Sequence, residues 1–347
     1  MKKIVVVVLS FAISLTAFGQ DKHFTQFYSS PMNLNPALTG SFDGSHRIGL
    51  NYRTQWASLL PDPFVTAGVS FDMNFSPFKV KTYDDKIGVG LIFFNDKAGP
   101  SDFTTNNIAL SGAFHKALDR AGKHYLSAGF QVGILQKSIN YEGLTFNDQF
   151  DGSTGYTLPS AEDLPRNNYG AGDISAGIQW SLSPRDRLII YAGASIFHLT
   201  RPEISFYQES ETIDLSVPIL MKYAINAGVQ LPISRGVDLQ PRVLIYSQGP
   251  HFEINAGANV RVSLSDYDDT RLYVGSWVRP VRDVEGSTEV DAVVLLVGFQ
   301  FSSVQIGASY DVTVSPLANS TAGNGAFELS LSYIGSYENE SILCPTF

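Results

Sequence analysis

Apolar and polar residues alternate along most of the chain. In "YLSAGFQVGIL", Leu126, Ala128, Phe130, Val132 and Ile134 share one face, and Ser127, Gly129, Gln131 and Gly133 share the other. "ISAGIQWSL" repeats the pattern from Ile174, as do "YAINAGVQL" from Tyr223, "VQIGASYDV" from Val304 and "FELSLSYIG" from Phe327. A period of two marks strands; no segment shows a convincing period of 3.6. On this basis the sequence predicts about fourteen strands, near 46–57, 64–75, 86–95, 103–115, 123–141, 169–181, 187–199, 220–231, 237–247, 252–262, 271–281, 288–300, 303–312 and 324–337.

These segments are longer than typical globular strands and suit a tilted crossing of a bilayer. The expected fold is all-β: a transmembrane antiparallel β-barrel of about 14 strands, of the outer-membrane type. Closure satisfies every backbone group, so the apolar faces can meet lipid. With the first strand running outward, the longest connections, 142–168 and 200–219, fall outside. "LSPRDR", "PISRG" and the junction near Ser302 are tight and fall in the periplasm, where barrels of this type carry short turns. An even strand count puts both termini in the periplasm. Tyr52, Trp56, Phe93, Phe94, Tyr125, Tyr169, Trp180, Tyr273, Trp277, Tyr333 and Tyr337 lie near strand ends, as interfacial girdles would.

Composition agrees. Hydrophobic residues make up 44%, aromatics 12% and charged residues only 16% of the 347 positions, with 30 Gly. A net charge of −9 argues against nucleic acid. Lys2 and Lys3, the apolar run Ile4 to Leu15 and Ala17-Phe18-Gly19 read as a signal peptide cut near Gly19–Gln20. The expected organisation is therefore a signal peptide at 1–19, a non-regular segment at 20–45, a barrel at 46–337 and a periplasmic tail at 338–347. The single cysteine, Cys344, excludes a disulfide framework and reads as an unpaired tail thiol.

Catalytic and metal-ligand spacings are missing: there is no G-x-S-x-G, H-E-x-x-H, C-x-x-C or Walker-type loop. His23, His46, His115, His124, His198 and His251 do not pair at ligand spacing. The acidic runs "NDQFDGSTG" (Asn147 to Gly155) and "DYDDT" (Asp266 to Thr270) lack the D-x-[DN]-x-[DN]-G spacing of a calcium loop and read as solvated turns. The expectation is a non-enzymatic protein with no cofactor. A fourteen-stranded lumen is wider than its own side chains fill, so water, a plug or a partner segment must occupy it.

The stretch "HFTQFYSSPMNLNPALTG" (His23 to Gly40) has neither period. Pro31 and Pro36 resist regular structure, and the Asn side chains can satisfy local backbone groups. It reads as an ordered, non-regular segment packed in or under the periplasmic mouth, partly filling the lumen. Together with the strand that follows, it carries His23, Phe24, Gln26, Phe27, Tyr28, Pro31, Asn35, Pro36, Ala37, Gly40, Arg47, Asn51, Tyr52, Arg53, Gln55 and Trp56. These residues resemble the N-terminal signature of the PorP/SprF family of Bacteroidota outer-membrane proteins, and the terminal "CPTF" (Cys344 to Phe347) resembles its ending. The resemblance implies an outer-membrane barrel of the type IX secretion system. It also implies a partner: a secreted surface adhesin held through its type B C-terminal domain, with gliding or adhesion as the outcome. Periplasmic secretion components are further implied partners.

On a rigid barrel, long loops carry recognition. Phe150, Tyr156, Phe206 and Tyr207 are the candidate aromatic anchors for a partner. Two other readings stay open: a channel or porin, and a structural subunit docking periplasmic lipoproteins.

Overall fold

The computed structural model describes residues 21, 23–76, 84–142, 144–203, 205–206, 218–265, 269–282 and 286–336. The signal peptide, Tyr207, Tyr337 and the tail with Cys344 lie outside the described residues. Fourteen strands follow one another: β1 (His46–Gln55), β2 (Phe64–Phe75), β3 (Lys86–Ala98), β4 (Phe103–Ala117), β5 (His124–Ser138), β6 (Asn168–Arg185), β7 (Leu188–Phe197), β8 (Lys222–Ser234), β9 (Val237–Gln248), β10 (His251–Ser265), β11 (Thr270–Arg282), β12 (Thr288–Phe301), β13 (Val304–Thr313) and β14 (Asn324–Gly335). Each pairs antiparallel with its sequence neighbours, and β1 pairs with β14 from His46↔Gly335 to Gln55↔Ala326, closing the barrel. No helix among the described residues is long and apolar enough to cross a membrane.

The period-two faces sort as alternation requires. Phe130, Ile134, Ile178, Ile225, Leu295 and Ile306 point outward and are exposed. Their neighbours Gln131, Gln179, Asn226, Ser309 and Glu328 point inward and are buried. Apolar outside and polar inside is the inverse of a soluble barrel and fits lipid outside. The polar interior is buried because the lumen is filled.

The filling comes from the chain's own N-terminal segment. After a short 3-10 turn (Phe27–Ser29), Pro31–Leu34 forms one helical turn and Pro36–Leu38 a second 3-10 turn. Proline starts both of the latter, where its missing N–H costs nothing. The Asn35 side chain caps the last turn by accepting from the Ala37 N–H at 2.9 Å.

The segment enters at one mouth and leaves at the other. The Asp21 N–H donates to Gln248 Oε1 at 2.9 Å, at the end of β9 beside the long β7–β8 connection. At the opposite mouth, the Gly40 N–H donates to Asp72 Oδ2 at 2.7 Å, and β1 begins there. Two expectations are therefore corrected. The segment spans the lumen and does not stay in or under the short-turn mouth. The described ends of the chain, Asp21 and the Gly335 end of β14, lie at opposite mouths, whereas a common side was expected.

A third correction concerns the aromatic girdles. Phe94, Tyr273 and Trp277 are 1%, 7% and 2% exposed and face the lumen. Phe24 packs edge-on against Phe94 at 5.6 Å, Phe27 packs edge-on against Trp277 at 5.4 Å, and Tyr28 stacks on Trp277 at 5.9 Å. Phe27, Leu34, Phe197, Leu244, Trp277 and Val294 form a small apolar core inside an otherwise polar lumen.

Candidate functional site

The segment and its receivers on the wall form the most elaborate constellation in the molecule. Glu328 on β14 is buried and accepts the backbone N–H groups of Thr25 and Gln26, each at 2.8 Å. The Gln26 carboxamide donates to Ser309 Oγ and to the Glu328 carbonyl, both at 3.2 Å, and accepts from Ser330 Oγ at 2.8 Å. Arg279 on β11 donates to Asp311 at 2.8 Å and also reaches the Thr25 hydroxyl. Arg53 on β1 lies 3.4 Å from Asp311 and 3.9 Å from Glu328. Buried charges need such pairing and hydrogen bonding to be tolerable.

Lower in the lumen, Asn51 Nδ2 donates to Ser29 Oγ at 2.5 Å. Asn259 Nδ2 donates to the Tyr28 hydroxyl at 3.2 Å, and the Arg242 guanidinium lies 4.3 Å from the Tyr28 ring. Asn35 Nδ2 donates to the Ile178 carbonyl at 2.9 Å. Arg47 grips Asp72 bidentately at 2.9 and 2.6 Å, while Asp72 also receives Gly40.

Two glycines show how closely segment and wall fit. A Cβ on Gly177 would lie 2.0 Å from Asn35 Oδ1, and one on Gly88 would lie 1.9 Å from the Thr39 carbonyl. Gly40 has φ +72°, a left-handed conformation that glycine adopts at no steric cost.

At the long-loop mouth, His198 binds Asp173 at 2.9 Å and lies 3.5 Å from Asp21, which Lys222 also reaches at 3.1 Å. Burial alone would lower the His198 pKa. Its hydrogen bonds to Asp173 and Asp21 outweigh that and raise it to about 9, so the ring is charged at neutral pH. His23 lies 3.6 Å from Glu253. Burial first, then Arg279 and Arg53, hold its pKa well below 6.5, so it is neutral.

The expected site residues therefore divide. His23, Phe24, Gln26, Phe27, Tyr28, Pro31, Asn35, Pro36 and Gly40 form the segment; Arg47 and Asn51 hold it from β1 through Leu38 and Ser29, and Arg53 supports its receivers Asp311 and Glu328. Gln55 accepts from Arg53 Nη1 at 3.1 Å. Tyr52 faces outward, 43% exposed, and Trp56 packs on Phe64 at the end of β1, so neither touches the segment's core. Phe150 and Tyr156 meet each other across an isolated bridge, ring centroids 5.5 Å apart, and both stay half exposed. Phe206 packs edge-on against Phe103 at 6.2 Å. These three do not form one patch, and Tyr207 lies outside the described residues.

Sequence reasoning missed Asp72, Asp173, His198, Arg279, Asp311 and Glu328. Their signal was present: each charged strand residue among them sits at an inward position of an alternating strand. Among the described residues, no group of three or more His, Cys, Asp or Glu could hold a metal ion. In the "NDQFDGSTG" loop, Asp151 is held far below the usual carboxylate range by the Thr154 hydroxyl and by backbone N–H groups of Ser153, Gly155 and Thr154.

Comparison with known proteins places the architecture and the family. Among solved structures, the CymD monoaromatic hydrocarbon channel is similar at a TM-score of 0.53 and 10% identity, covering 92% of this chain and 96% of that one. The Pseudomonas putida toluene transporter TodX (TM-score 0.45, 11% identity, 88% and 92% covered) and BamA from Haemophilus ducreyi lacking POTRA domains 1–3 (0.43, 10%, 84% and 70%) are more distant. No curated protein matches the chain. The family model described as "Type IX secretion system membrane protein PorP/SprF" matches residues 16–333, spanning both the lumen-filling segment and all but the last residues of β14. The fourteen-stranded outer-membrane barrel described above thus belongs to the PorP/SprF family of the type IX secretion system.

Proposed function

We propose that the protein is a non-enzymatic holder: an outer-membrane barrel that binds or anchors a secreted surface protein of the type IX system, an adhesin with a type B C-terminal domain, at the cell surface. The observation that carries this reading is the filled lumen. A segment fixed in the lumen by Glu328, Asp311, Arg279 and Asp72 counts against the channel reading, which needs an open lumen. A closed, rigid barrel is a platform, and the long connections between β5 and β6 and between β7 and β8 supply its recognition surface. In this reading those connections face outside, with Phe150 and Tyr156 as anchors. Export through a cleaved signal peptide and a periplasmic tail at 338–347 belong to the same reading.

A second reading, docking of periplasmic secretion components, has one supporting feature. A polar hollow of about 320 Å³ opens at the short-turn mouth, lined by Asp43, Asp269, Gln300, Gln305 and Ser332. The test is surface retention in cells. With Phe150 and Tyr156 both changed to Ser, the secreted partner is expected in the medium while the barrel remains in the membrane. Unchanged retention, combined with loss of periplasmic partners on Asp43→Lys, would favour docking instead.

A further inference from the structure

Between the segment and the wall formed by β3 to β9, the upper lumen keeps a vestibule of about 50 Å³ on the long-loop side. One water needs roughly 10–15 Å³ of such space. The walls are aromatic: Phe24, Phe27, Phe94, Phe197 and Tyr246 line it. Two polar atoms facing this region are buried without a hydrogen-bond partner, Asp173 Oδ1 and His23 Nε2. The Asp173 side chain is 7% exposed. A carboxylate oxygen can only accept, and a neutral histidine can accept through one ring nitrogen. A buried acceptor left without a donor is costly, so the site suits a guest that brings donors.

Charge points the same way. Asp21, Asp173 and Glu253 bring carboxylates to this mouth, among the cations Lys222, the charged His198 and, beside Asp21, Lys137, with His23 neutral. Arg279 lies 4.0 Å from Glu253 but is matched by Asp311 at 2.8 Å. The aromatic walls already accommodate a cation, since Lys222 Nζ lies 4.4 Å from the Tyr246 ring centroid and 5.5 Å from that of Phe197.

We propose that this vestibule receives one basic side chain, lysine or arginine, of the secreted polypeptide that the barrel holds, entering from the long-loop mouth with its donors on Asp173. This rests on the anchoring function above and gives it a point of contact that no loop supplies. The guest's methylenes would lie on the Phe24 and Phe94 rings, so both charge and stem are recognised.

The experiment is calorimetric titration of the full-length barrel in detergent with the peptide Gly-Ser-Lys-Ser-Gly, its norleucine analogue and spermidine. Saturable binding of the lysine peptide is expected, at least 10-fold tighter than the norleucine analogue. Asp173→Asn should weaken it at least 5-fold. Ala109→Leu, which fills the cavity from β4 without touching a charged group, should abolish it. Should Asp173→Asn fail to fold, Ala109→Leu decides alone, with the heat-modifiable gel band as the folding control. Equal binding of lysine and norleucine peptides, or binding unchanged in Ala109→Leu, would overturn the proposal. So would no binding, which leaves ordered water as the occupant. Ala109-sensitive binding of spermidine in preference to the peptide would assign the site to a free polyamine and overturn it too. Surface retention of the partner is read separately. Retention without peptide binding sinks this inference alone, and peptide binding without retention sinks the anchoring function alone.

Discussion

Glu328 shows how one residue holds the segment in place. Its two oxygens take two consecutive backbone N–H groups of a chain with no sheet partner of its own. Glu328→Ala leaves both donors buried and unmet, at roughly 1–3 kcal/mol each. The expected result is earlier release of the segment, read as protease cleavage within 23–40 at lower denaturant; Glu328→Gln, which keeps one acceptor, should fall between. His198 gives a pH dependence. Its folded pKa is raised to about 9 above an ordinary 6.5, so its contribution is complete below about 6.5 and is lost as pH rises through about 9. Thermal melts should show stability falling across that window, and Asp173→Asn should flatten the fall. These residues were only partly legible in the sequence. The opening stretch and Arg47, Asn51 and Arg53 stood out by type and density. Glu328 and Asp311 did not, because an alternating strand marks a residue as inward without saying what it meets.

At the scale of elements, the strands were legible because lipid on one side and a polar lumen on the other impose a strict period of two. Boundaries moved by a few residues; β6, for instance, runs to Arg185 where 181 was expected. The aromatic assignments failed where the segment intervenes. Phe94, Tyr273 and Trp277 look like girdle residues in sequence, yet Phe24, Phe27 and Tyr28 give the first and last an apolar environment indoors. The Tyr273 hydroxyl donates to Gln300 at 2.6 Å. The wall glycines were illegible for the same reason, since their need is set by what lies across from them. Gly177→Val should push Asn35 off the wall while leaving the outward face untouched. The expected outcome is a folded barrel with a protease-sensitive segment and raised conductance; a protected segment in that variant would mean the fit at Gly177 does not fix it.

For the whole molecule, the segment's direction has consequences. Because Asp21 reaches the long-loop mouth and β1 starts at the other, the segment must thread the lumen as the barrel closes. With the long connections outside, an epitope placed just ahead of Asp21 should be stained on intact cells, whereas one inserted in the turn at 235–236 should not. Staining of the second alone would reverse the orientation. The proposed holder role requires a barrel that does not conduct, because its own chain fills it. The conductance of the purified full-length protein in planar bilayers tests this. A closed baseline with at most brief small openings is expected, rising only when the segment is displaced, as in Gly177→Val. A large, steady conductance from the unaltered protein would contradict it.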